Sequence, residues 1–134
     1  KPSTYTSRCD QRGYFYFLIY LIIMYLVIGI IIIILFLQND LDIITAEKAK
    51  KLIKKNHFKT ILDVRSSEEW NQGHYPNAVH IPYDKITAEK VAKLKQPMLI
   101  YCRSGRRAKI AAEKMKQYGK TDLSIIETTY QTFL

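Results

Sequence analysis

Cys102 stands in the run Tyr101-Cys102-Arg103-Ser104-Gly105-Arg106-Arg107-Ala108, so three arginines and a glycine fall within the five residues after it. An apolar, strand-like stretch (98–101) precedes the cysteine, and a helix-like stretch (108–118) follows the loop. A thiol between a strand's carboxyl end and a helix's amino end lies among backbone N–H groups that have no intrahelical partner. The helix dipole adds partial positive charge at the same point. That field, with the three arginines, favours an anionic sulfur. The chemistry it predicts is nucleophilic, with Cys102 as the attacking group. The backbone N–H groups of 103–107 would hold the negative charge. Arg103, Ser104, Gly105, Arg106 and Arg107 would form the substrate-binding loop.

Two chemistries use a cysteine, a tight anion loop and an arginine. One accepts phosphate or arsenate and needs room for a tetrahedral oxyanion; the other carries one extra sulfur as a persulfide and needs a smaller bowl. A Cys-X5-Arg loop of the phosphatase kind requires arginine at position 108, where this chain has Ala108, whereas Arg107 closes a Cys-X4-Arg loop. The shorter loop favours sulfur over phosphate. A buried structural cysteine beside a basic helix is the plain alternative, and the arginines and glycine crowded into the loop weigh against it.

A second motif lies upstream. Asp63-Val64-Arg65 is followed by Glu69-Trp70, by Gly73-His74, and by Ala78 and Ile81-Pro82. These residues and the Cys102 loop, in this order, resemble the single-domain rhodanese sulfurtransferases over about residues 41–134. The resemblance implies an α/β fold, a small parallel sheet flanked by helices. It also implies a cysteine that takes sulfane sulfur from an anionic donor such as thiosulfate and passes it, as a persulfide, to a thiol or cyanide acceptor. It places Asp63 and Arg65 near the cysteine loop as supporting residues and makes His74 a packing and turn residue. Arg65 is expected to pair with Glu69, either as a brace or as a plain surface ion pair, and Trp70 to form part of the core or cleft wall. No cofactor and no metal is expected. The chain departs from the family pattern at Tyr75, Asn77, Thr128 and Thr129. Asn77 tolerates left-handed backbone, whereas the β-branched Thr128 and Thr129 cannot copy a glycine turn. Two other functions fit the same residues: a non-catalytic rhodanese-like interaction module at the membrane, and a cysteine-dependent phosphatase or arsenate reductase.

Residues 14–37 contain no charge, nine isoleucines and five leucines. As a helix they would extend about 36 Å, enough to cross a hydrocarbon core of about 30 Å with tilt. Their Ile and Leu side chains alone favour insertion by about 4–8 kcal/mol. A signal peptide has a shorter apolar stretch and small residues at its cleavage site, and none follow position 37; a core helix would carry a polar face. The expected organisation is a polar tail (1–13), a transmembrane helix (14–37), a linker (38–40) and a rhodanese-like domain (41–134), in a single-pass membrane protein whose partners include the lipid bilayer. Arg12 before the span and Asp40 and Asp42 after it favour the domain outside, on the periplasmic side; the lysines further on argue the reverse.

The net charge is +9. Three basic and two acidic residues precede position 41, so most of the excess belongs to the domain. Lys48, Lys50, Lys51, Lys54, Lys55 and Lys59 suit a solvated helix face or attraction to anionic lipid. Without interleaved aromatics they do not resemble a nucleic-acid module, and no nucleic-acid partner is expected. Cys9 and Cys102 lie on opposite sides of the predicted span and so cannot pair. In the domain, strands are expected at 41–44, 60–63, 79–81, 98–101 and 123–127, and helices at 45–56, 67–72, 87–94 and 108–118. Thr45 is the expected cap of the first and Gly119 the stop of the last. Alternation of this kind predicts a parallel sheet with both faces covered.

Overall fold

The computed structural model describes residues 10–37 and 41–134. The tail residues up to position 9, Cys9 among them, and the predicted linker lie outside the described residues. The chain divides into two units after Asn39. The first carries helix α1 (Asp10–Leu37), which begins four residues before the predicted span. Its segment Arg12–Phe36 is long and apolar enough to cross a membrane, and none of that segment is buried within the protein.

The second unit runs β1 (Asp42–Ile44), α2 (Ala46–Lys54), β2 (Thr60–Asp63), α3 (Ser67–Asn71), β3 (Val79–His80), α4 (Ala88–Ala92), β4 (Met98–Tyr101), α5 (Arg106–Gln117) and β5 (Leu123–Ile126). Single 3₁₀ turns lie at Tyr83–Lys85 and Tyr130–Thr132. The five strands form one sheet in the order β1-β5-β4-β2-β3, and every pairing is parallel. Such a sheet is covered on both faces, so its central strands are continuous apolar runs rather than alternating ones. All four residues of β4 and all four of β5 are buried.

Alternate residues of β4 serve two cores, as the strand's period of two requires. Met98 and Ile100 pack with Leu62, Ile125 and the small-residue stripe of α5 (Ala108, Ala111, Ala112, Met115). Leu99 and Tyr101 pack on the other face with Ile44, Ala49 and Ile126, and Phe133 closes that layer from the chain's carboxyl end. Thr45 caps α2 by accepting the Lys48 N–H. Gly119 (φ +85°) ends α5 in a left-handed residue: its N–H donates to Lys116 O and that of Lys120 to Met115 O, which closes the helix end.

Candidate active site

The connection leaving β2 runs to β3 on one side, and the one leaving β4 runs to β5 on the other, so the strand order switches between these two neighbours. Ligands in open parallel sheets bind outside the carboxyl ends of strands at such a switch. Asp63 ends β2 and lies opposite Tyr101 in β4, which places Cys102 one residue beyond the sheet at that point.

From Cys102 the chain turns through Gly105, which is the N-cap of α5 at φ 85°, ψ −25°. Left-handed backbone here suits glycine. There is no room for a side chain either: a Cβ at Gly105 would lie 2.7 Å from Glu127 Cγ and 3.1 Å from Glu127 Cα. The turn aims the Gly105 N–H at Cys102 Sγ, donating at 3.1 Å. Cys102 has no solvent-exposed surface and contributes to the apolar core beneath α5. The sulfur therefore sits under the loop, with an amide on one side and hydrocarbon on the other. Arg103, Ser104 and Arg106 are exposed around it. Neither Arg103 nor Arg106 is ion-paired among the described residues.

The third arginine is engaged. Arg107 Nη1 and Nη2 donate to Glu69 Oε2 and Oε1 at 2.5 and 2.8 Å, a bidentate pair between α5 and α3. Its pKa is raised, first by the hydrogen bond to Glu69 and also by interaction with Cys102. Glu69 is itself fixed by a capping box: Ser66 N–H donates to Glu69 Oε2, and Glu69 N–H donates to Ser66 Oγ. The expected Arg65–Glu69 pair is therefore corrected. Arg65 precedes the N-cap of α3, so the four-residue spacing does not put it on a helix face with Glu69, and Glu69 instead faces the start of α5.

The Arg107 hydrogen bond, followed by the Ser66 N–H, outweighs burial and lowers the Glu69 pKa from 4.5 to about 2. A carboxyl held below its unfolded value contributes stability that is present above the unfolded pKa and lost as pH falls through the folded one. Glu69→Gln is therefore expected to be less stable than wild type at neutral pH. The difference should shrink as pH drops from about 4.5 towards about 2. Urea unfolding followed by fluorescence of Trp70, the chain's single tryptophan, reads this; a difference independent of pH would contradict it.

Arg65 turns inward. Its Nε and Nη2 donate to the fully buried Asp63, the shortest contact being 2.6 Å, and Nη2 also donates to Gly73 O at 2.7 Å. The guanidinium lies over the rings of Tyr101 and Tyr130, 5.6 and 5.2 Å from their centroids. Burial opposes its charge, but the hydrogen bond and charge of Asp63 prevail and raise its pKa. Burial also raises the Tyr101 pKa, as does the neighbouring Asp63 carboxylate. The Asp-Val-Arg motif thus supports the end of β2 from within. His74 and His80 both stack on Trp70, with centroids 3.5 and 4.7 Å away. Both rings also meet backbone oxygens, Trp70 O and Arg65 O, so they pack the turn.

Sequence reasoning had not singled out Ser66, Tyr101, Tyr130 or Glu127. The Ser66-x-x-Glu69 spacing carried the capping box in plain view. The two tyrosines had no local pattern to mark them, because the fold alone brings them to Arg65.

Residues 45–134 match the family model of the rhodanese-like domain. Over 78 residues the chain is 37% identical to a Bacillus subtilis protein named as a sulfur carrier, YrkF, covering 57% of this chain and 42% of the relative. The chain spans less than half the length of the curated relatives it matches. The crystal structure of a rhodanese-related protein from Thermoplasma volcanium superimposes with a TM-score of 0.57 at 28% identity, covering 69% of this chain and 89% of that one. The single-domain sulfurtransferase RDL2 of Saccharomyces cerevisiae has the same fold, with a TM-score of 0.55 at 23% identity, covering 70% of this chain and 89% of that one.

Proposed function

The chain belongs to the rhodanese-like family of sulfur carriers and sulfurtransferases, and we propose that it is a membrane-anchored sulfurtransferase working through a persulfide on Cys102. The observation that carries this reading is the Gly105 N–H donating to Cys102 Sγ from the start of α5. An amide fixed at 3.1 Å from the sulfur stabilises negative charge there without having to reorganise during the reaction.

In the first half-reaction the Cys102 thiolate attacks the outer sulfur of thiosulfate. An S–S bond forms on Sγ, the donor's S–S bond breaks, and its electron pair leaves with sulfite. In the second, a thiolate or cyanide attacks the outer sulfur of the persulfide, and the electron pair returns to Sγ. Exposed Arg103 and Arg106 attract the dianionic donor, and Arg107, held by Glu69, keeps a third positive charge at the start of α5. Asp63 and Arg65 hold the β2 end in place and do not touch the sulfur in this reading. Helix α1, at 28 residues, is about 42 Å long, which suits a membrane anchor.

The complete burial of Cys102 favours a second reading, a rhodanese-like interaction module without turnover. Thiocyanate formation from thiosulfate and cyanide by the full chain separates the two. The sulfurtransferase reading expects turnover that Cys102→Ser abolishes; the module expects none from either protein.

A further inference from the structure

A hollow of about 210 Å³ opens beside the cysteine loop, bounded by Tyr83, Ser104, Arg106, Arg107 and Ile110. We propose that it is the acceptor subsite of the sulfur-transfer reaction, shaped for a small organic thiol that carries a carboxylate on an apolar stem. The proposal rests on the sulfurtransferase reading above and gives that site its acceptor class.

The size comes first. Pockets that bury drug-sized ligands run to about 300–1,000 Å³, so this hollow takes a smaller molecule. Its walls are of two kinds. Ile110 and Tyr83 leave 39% and 37% of their surfaces exposed beside a reactive loop. Arg106 lies four residues before Ile110 and therefore on the same face of α5. It is exposed, and among the described residues no carboxylate pairs with it. Arg107 offers no second free cation, because Glu69 holds both of its terminal nitrogens. Ser104, two residues after Cys102, lines the hollow and so places it against the cysteine loop. Tyr83 is fixed to the end of β2 through its N–H, which donates to Val64 O at 3.1 Å.

Thiosulfate and cyanide present no hydrocarbon, so the apolar wall gives them nothing. An apolar stem ending in a carboxylate uses both parts: the stem covers Ile110 and Tyr83, and the carboxylate meets Arg106. In the transfer step the acceptor thiolate attacks the outer sulfur of the protonated Cys102 persulfide. The new bond joins the acceptor sulfur to that atom, the Cys102 S–S bond breaks, and its electron pair stays on Sγ. The proton remains on the transferred sulfur, and no other oxidant or reductant is needed.

The test is single-turnover transfer from the full chain in detergent, loaded with thiosulfate and freed of excess donor. The acceptors are 6-mercaptohexanoate, 6-mercaptohexanol, 2-mercaptoethanol and cysteamine, compared at equal thiolate concentration. The expected order is mercaptohexanoate, mercaptohexanol, mercaptoethanol, cysteamine, with about tenfold or more between the first and the third. The hexanol separates the carboxylate's effect from that of the stem. Ile110→Asp, a change at a half-open position, is expected to cut the mercaptohexanoate-to-mercaptoethanol ratio by about tenfold. Equal rates for all four thiols would overturn the subsite while leaving the persulfide reaction standing. A protein that never loads sulfur would remove the proposed function itself.

Discussion

Asp63→Ala is expected to lose about 3–5 kcal/mol of stability, because removing one partner of a buried ion pair strands the other's charge. That is a large share of the roughly 5–15 kcal/mol that holds a typical domain folded. Asp63 has no exposed surface, and it accepts the Arg65 backbone N–H at 2.9 Å as well as the guanidinium. Without it, Arg65 keeps Gly73 O and two ring faces and no counter-charge. Removing both members should therefore cost less than the sum of the two single changes. Urea unfolding followed by Trp70 fluorescence measures all three variants. Additive losses would show that the two residues act separately and would contradict the coupling argued here.

Gly105→Ala is expected to lower the rate of sulfur loading about 10²-fold, the scale of losing one aligned donor to a developing anion. Two effects act together. Alanine at φ 85° carries a left-handed penalty of about 1–2 kcal/mol. Its methyl would also lie 2.7 and 3.0 Å from Glu127 Cγ and Cβ, and 3.1 Å from Glu127 Cα. The loop or the end of β5 must move, and the Gly105 N–H moves with the loop. Glu127→Gly in the same chain removes the two side-chain contacts and leaves the backbone penalty, so part of the rate should return. Lys109, ion-paired with Glu127, loses its partner in that variant. Loading by Gly105→Ala at the wild-type rate would mean that the amide's position is irrelevant to the sulfur.

Much of the fold was legible because buried parallel strands announce themselves. The bounds expected for β2 and β4, 60–63 and 98–101, are those observed: Ile61-Leu62 between Thr60 and Asp63 marks β2, and the apolar run after Pro97 marks β4. Thr45 as a cap, Gly119 as a stop and a left-handed Asn77 (φ 61°) followed from local chemistry in the same way. Thr129 keeps φ −75°, so the turn after β5 is built without positive φ at that residue. The start of α5 was misplaced by two residues: Arg106 and Arg107 read as loop cations, yet they form its first turn behind the Gly105 cap.

The candidate site was legible in its residue types and less so in its geometry. Cysteine, glycine and arginines at close spacing pointed to an anion-stabilising loop. Which carboxylate meets which arginine depends on the tertiary approach of α5 to α3: Glu69 meets Arg107, 38 residues on, while Arg65 turns inward to Asp63. The depth of Cys102 was not legible either, because it depends on how α5 lies against the sheet.

The central claim is that Cys102 Sγ, beneath the Gly105 amide, accepts one sulfur atom and holds it. Intact-mass analysis of the full chain after incubation with thiosulfate tests that claim most directly. The predicted result is a gain of one sulfur atom that reductant removes and that Cys102→Ser does not show. An unchanged mass in the wild-type chain, or the same gain in Cys102→Ser, would contradict it.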